Sequence, residues 1–116
     1  MSYSSINIFY DLENKKYNIL RGAENADLTE VKSALLEDPD CLMFADEATG
    51  MTALHIACCD RNMSIVDFLC SQAGIDVSRE DHFGRTPLHF SILLGDQEMY
   101  NRLRKAMDTS SGNVVN

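Results

Sequence analysis

An octapeptide occurs twice in this chain, and it constrains the fold more than any other feature. Gly50-Met51-Thr52-Ala53-Leu54-His55-Ile56-Ala57 returns as Gly84-Arg85-Thr86-Pro87-Leu88-His89-Phe90-Ser91. Gly84 follows Gly50, Thr86 follows Thr52 and His89 follows His55 by the same 34 residues. A fixed period of this size marks a stacked-repeat architecture, in which one unit cannot bury its apolar face alone and its neighbours complete the core.

The residues around the two copies read as helix pairs. A short helix is predicted from about residue 17 to 25, and a second over Leu28–Glu37, with Leu28, Val31, Ala34 and Leu35 on one face at helical spacing. Asp27 stands as its N-cap with Glu30 three residues on, the spacing of a capping box. Asp38-Pro39-Asp40 stops the helix, because proline disfavours helical geometry in the residue before it. Residues 40–50 read as a connection ending in a turn at Gly50. Thr52 caps a helix reaching about residue 60, and Asn62 caps another with Ile65, Val66, Phe68 and Leu69 on its buried side. Ala73-Gly74 is expected to end that helix, with glycine in the left-handed position. Thr86-Pro87 opens the next one, proline taking the first helical position where its missing N–H costs nothing. Asp96 caps the last helix, which carries Met99, Tyr100 and Leu103.

Net charge narrows the partner classes. With 18 acidic and 10 basic residues in 116, the chain carries −8, which argues against a partner held mainly by phosphate contacts. Arg102, Arg104 and Lys105 form the clearest basic cluster and support a disfavoured nucleic-acid reading. No run reaches the length of a membrane span and the N-terminus lacks signal-peptide character, so an intracellular, cytoplasmic setting is expected. Cys41, Cys58, Cys59 and Cys70 form neither a C-x-x-C pair nor a secreted disulfide framework, and read as small apolar side chains.

The helix–turn–helix layout, with Thr86-Pro87-Leu88-His89 and Thr52-Ala53-Leu54-His55 opening successive units, resembles the ankyrin repeat. Ile65-Val66-Asp67-Phe68-Leu69 and Ala73-Gly74-Ile75-Asp76-Val77 are similar to the second-helix signature of that family. The resemblance implies an all-α solenoid of stacked helix–turn–helix units with protruding turn or hairpin loops. Residues 15–107 then form about three repeats. The first is degenerate, with Tyr17-Asn18-Ile19-Leu20 at the motif position. In the last, Arg102 and Arg104 replace apolar residues, as a stack that stops there requires. Residues 1–14, with Ile6, Ile8, Phe9, Tyr10 and Leu12, are expected to pack on the first repeat as strand or helical turn. Residues 108–116 are expected to form a flexible tail.

Two function classes follow. The first is a non-catalytic protein-interaction module, an adaptor, scaffold or inhibitor. The resemblance implies contacts through loop tips and the concave face of the first helices. Carried onto this chain, those are Thr49 and Met51; His82, Phe83 and Arg85; and, on the helix face, Asp60, Leu93 and Leu94. Acidic loops around these apolar residues favour a basic protein partner. For Leu93 and Leu94 the competing reading is packing under the C-terminal tail. The alternative class is a metal-binding or thiol-dependent site on His55, Cys58 and Cys59, whose i, i+3, i+4 spacing shares a helix face. Zinc wants about four ligands, and His89 repeats the histidine without cysteines beside it. The resemblance instead makes His55 and His89 hydrogen-bonding struts between loops and neighbouring units. No cofactor is implied, and the sequence leaves oligomeric state open.

Overall fold

The structure, a computed structural model, describes residues 17–110, with the side chains of residues 18–108. The expectation for residues 1–14 lies outside this range, as does that for residues 111–116. Among the described residues there are six α-helices: α1 (Tyr17–Glu24), α2 (Leu28–Glu37), α3 (Ala53–Cys59), α4 (Met63–Cys70), α5 (Pro87–Leu94) and α6 (Gln97–Ser110). A 3-10 helix, Pro39–Met43, follows α2. It occupies part of what the sequence reads as a plain connection, because Pro39 supplies the helical φ and the Asp38 carboxylate accepts from the Asp40 N–H.

One device closes each helix pair. A left-handed residue sits in the turn, Ala26 (φ 56), Arg61 (φ 59) and Gly95 (φ 66). The next residue donates its N–H back across the turn: Asp27 to Gly22 O (2.8 Å), Asn62 to Ala57 O (2.9 Å) and Asp96 to Ser91 O (2.9 Å). This is the Schellman arrangement, which satisfies carbonyls left over at a helix end. Those same three residues then cap the second helix, their side chains accepting from Glu30 N, Ile65 N and Met99 N. A single residue thus ends one helix and starts another, which fixes the angle within each pair.

The first helices stack in the order α1, α3, α5, and the second helices in the order α2, α4, α6. The core between them runs from Ile19, Leu20 and Ala23 through Val31 and Ala34 to Leu54, Ile65, Val66, Leu69, Met99 and Leu103. Burying each of the larger side chains stabilises the fold by about 1.5–3 kcal/mol before entropy is counted.

Four local readings shift. Glu30 does not complete a capping box, because its carboxylate pairs with Arg21 at 3.0 Å. The helix over residues 63–70 ends at Cys70 with Ser71 as its C-cap, and Gly74 (φ 89) serves the following turn instead. Phe68 is half-buried, with the Lys32 ammonium 5.4 Å above its ring. The last helix carries Asp108 and runs on to Ser110, past the expected start of the tail.

Candidate partner-binding surface

Two loops project from the stack, and each is organised by one aspartate. In the first, Ala45 and Thr52 form a β-bridge and Asp46 N donates to Met51 O (2.9 Å). The Asp46 Oδ2 accepts from Ala48 N, Thr49 N and Thr49 Oγ1 at 3.0–3.1 Å. In the second, the Asp81 side chain is fully buried and accepts from Phe83 N (2.9 Å), Arg85 N (2.9 Å) and Arg85 Nε (2.8 Å). Burial alone would raise the Asp81 carboxyl, but the hydrogen bonds from Arg85 and Phe83 outweigh it and hold it below the ordinary carboxylate range.

The loops also lean on each other. His82 N donates to Thr49 O (2.9 Å), and its ring Nδ1 lies 3.3 Å from Ala48 O. The Arg85 Nη2 reaches Met51 Sδ at 4.0 Å, while its guanidinium sits 5.0 Å from the ring centres of both Phe83 and Phe90. Gly50 permits this approach: a Cβ there would stand 2.4 Å from the His82 ring and 2.7 Å from its backbone nitrogen. Thr49, Met51 and Arg85 are therefore half-buried in loop-to-loop contacts. Phe83 stands out at 69 % exposure, with His82 exposed beside it.

The remaining candidates lie elsewhere. Asp60, Leu93 and Leu94 are exposed at the C-terminal ends of α3 and α5, Leu93 at 73 %. The eight residues of α5 separate them from the Phe83 loop, a helix length of about 12 Å at 1.5 Å per residue. The structure thus splits the candidate surface into a loop-tip group and a helix-end group. It also exposes two apolar residues outside the sequence reading, Ile92 at 60 % and Leu36 at 85 %. Ile92 was legible: it stands 34 residues after Cys58, and the last unit carries a larger apolar side chain there.

Of the histidine–cysteine candidates, His55 and Cys58 are built into the core of the stack. His55 is fully buried; its Nδ1 accepts from Thr52 N (3.1 Å) and its Nε2 donates to Arg85 O (3.0 Å) in the next loop. Thr52 returns the contact by accepting from His55 N, which makes a capping box with histidine in the place glutamate usually takes. Burial lowers the His55 pKa and keeps the ring neutral. Both ring nitrogens are engaged, so the ring has no lone pair to offer a metal. Cys58 is fully buried and its thiol is pushed far up by burial, whereas Cys59 is exposed. Among the described residues no group of three His, Cys, Asp or Glu side chains could hold a metal ion. No described helix is long and apolar enough to cross a membrane.

Comparison with known proteins agrees with this geometry. A family model described as ankyrin repeats, in three copies, matches residues 19–113. The chain is 40 % identical over 78 residues to the mouse RelA-associated inhibitor and 32 % identical over 85 residues to the Arabidopsis thaliana potassium channel AKT1. It is 37 % identical over 70 residues to human diacylglycerol kinase iota. These matches cover 67 %, 73 % and 60 % of this chain but only 9 %, 10 % and 6 % of the respective relatives. The chain belongs to the ankyrin-repeat family.

Proposed function

We propose that this ankyrin-repeat chain acts without catalysis, binding a protein partner through Phe83 at its loop tips and through Leu93 and Leu94 at the helix ends. The observation that carries this reading is the exposure of Phe83 and Leu93 on a scaffold whose adjoining loop is held by Asp81, Arg85 and the His55 bond. A preformed surface loses little entropy on docking, so a few apolar anchors suffice for specific binding. By name, the relatives are an inhibitor, a channel and a kinase. A segment shared among such different proteins fits a binding module better than a common chemistry.

Glu47, Asp60 and Glu80 are exposed near the two groups and favour a basic partner with apolar anchors. Because the groups lie at opposite ends of α5, the partner must span that helix. An adaptor or inhibitor role fits such a surface, and the four unpaired cysteines fit a reducing, cytoplasmic setting.

The test is affinity capture from native extract, followed by titration of the captured partner. Phe83→Ala and Leu93→Ala are each expected to weaken binding at least tenfold, about 1.4 kcal/mol, with the circular dichroism spectrum unchanged. Undiminished binding by the double variant would remove this surface.

A further inference from the structure

The middle repeat shows what its stacking face does when a neighbour covers it. His55 is 0 % exposed, donates to Arg85 O at 3.0 Å and packs T-shaped with Phe90, ring centres 6.3 Å apart at 88°. Cys58 and Val66 are likewise 0 % exposed. In the last repeat the same register is uncovered. His89 keeps the local bond, its Nδ1 accepting from Thr86 N at 3.0 Å, but the side chain is exposed. Among the described residues no carbonyl meets its Nε2. Ile92, in the register of Cys58, is 60 % exposed, and Tyr100, in the register of Val66, is half-buried. Between α5 and α6 an open groove of about 270 Å³ runs along Ser91, Ile92, Gly95, Asp96, Gln97 and Tyr100. The helix α5, Pro-Leu-His-Phe-Ser-Ile-Leu-Leu, carries no aspartate, glutamate, lysine or arginine.

We infer that this end of the stack is a second docking surface, and that it takes a repeat-like helix–loop unit from a different polypeptide. Continuity with the interface between the middle and last repeats sets the chemistry of that unit. It presents a loop carbonyl to His89 Nε2, an aromatic ring perpendicular to the imidazole and an aliphatic side chain to Ile92. A carboxylate at its rim would meet exposed Arg104, which replaces buried Cys70 in this register.

Two other occupants fit less well. In the middle repeat α4 ends at Cys70 and the chain turns through Gly74 into the next loop. The matching positions, Arg104 and Asp108, both lie inside α6, so this chain does not turn there to build a following unit in register. A second copy related by a two-fold axis would set this face against itself, not against the opposite face of a repeat that covers the middle unit. It would also oppose two chains of charge −8.

The surface is distinct from the Phe83 group, so the two can fail separately. The probe is a folded consensus ankyrin-repeat protein whose polar N-terminal capping repeat is replaced by an internal one, leaving a bare repeat face. It is titrated into the isotope-labelled full chain. The expected result is binding at least tenfold tighter than for the same probe with its cap, with shifts centred on His89 and the Ile92 methyl groups. Ile92→Arg should remove that advantage without moving the thermal midpoint, whereas Phe83→Ala should leave it intact. Equal affinity for bare and capped probes overturns the inference, as do shifts centred on His55, or an Ile92→Arg chain that binds like the parent. A doubled mass of the chain alone in sedimentation, abolished by Ile92→Arg, would assign the face to self-association instead. A tenfold gain in affinity on shortening the chain at Ser110 would make the C-terminal residues the occupant.

Discussion

Replacing His55 and His89 in turn by alanine isolates the value of a following repeat, because the two share one motif and one local bond. His55→Ala removes the acceptor of Thr52 N and the donor to Arg85 O at a fully buried site. Each bond contributes about 0.5–1.5 kcal/mol net, and each buried group left without a partner costs about 1–3 kcal/mol. With the space left by the ring, the loss comes to about 3–5 kcal/mol. His89→Ala removes one capping bond at an exposed site, where water can take the partner's place, and should cost about 0.5–1 kcal/mol. In urea unfolding followed by far-UV circular dichroism, a gap of about 2 kcal/mol or more separates the midpoints by roughly 1 M. If His55→Ala is unfolded in water while His89→Ala folds, the predicted order still holds. Coincident midpoints would refute the strut role of His55.

Stability should depend on pH through two groups. Burial lowers the His55 pKa below its unfolded value of about 6.5; its stabilising effect is full above that value and declines as pH falls through it towards the folded pKa. The Asp81 carboxyl, held low by Arg85 and Phe83, contributes stability that is present above about pH 3.9 and is lost as pH falls through its folded pKa. Thermal midpoints against pH should show both declines, and Asp81→Asn should erase the lower one. Gly50→Ala should destabilise the fold by several kcal/mol, because its Cβ meets the His82 ring and backbone at 2.4 and 2.7 Å as well as straining a φ of 75°. Gly84→Ala, at φ 76° with open space around the Cβ, carries the strain alone and should cost about 1–2 kcal/mol in the same urea assay. A thiol reagent at neutral pH should modify Cys59 in one fast phase. Cys41 and Cys70 are buried, with thiols raised to about 11, and Cys58 is raised further, so all three should react only on unfolding.

The repeat period and the caps were legible because they depend on short-range chemistry. Thr52, Thr86, Asn62 and Asp96 each cap within three residues, and the 34-residue offset carries one cap pattern onto the next. What was not legible depends on the neighbour rather than the residue. Nothing in the local sequence says that Glu30 will prefer Arg21 nine residues away to the N–H three residues away. Ala26 and Arg61 carry no left-handed signal of their own; the register shared with Gly95 reveals it only after the units are superposed. Thr49, Met51 and Arg85 looked like open loop tips, yet the second loop leans on the first and uses them for stacking.

That dependence on the neighbour separates scaffold from surface in this molecule. Thr52 and Thr86, and His55 and His89, make the same local bonds, so their identity says little about where a partner sits. Positions that differ between copies say more. Asp60 becomes Leu94, Thr49 becomes Phe83 and Cys58 becomes Ile92, each exchange placing a larger apolar group at an exposed site of the last repeat. Such exchanges gain nothing for folding, since an exposed apolar side chain buries little area. Arg102 shows the opposite logic: it replaces Phe68 and pairs with Asp67 at 3.2 Å, turning an apolar site into a polar rim. A chain that capped its end only for solubility would have treated Ile92 and Leu93 in the same way. Their presence beside Arg102 and Arg104 supports the proposal that the exposed apolar residues of α5 are kept for contact.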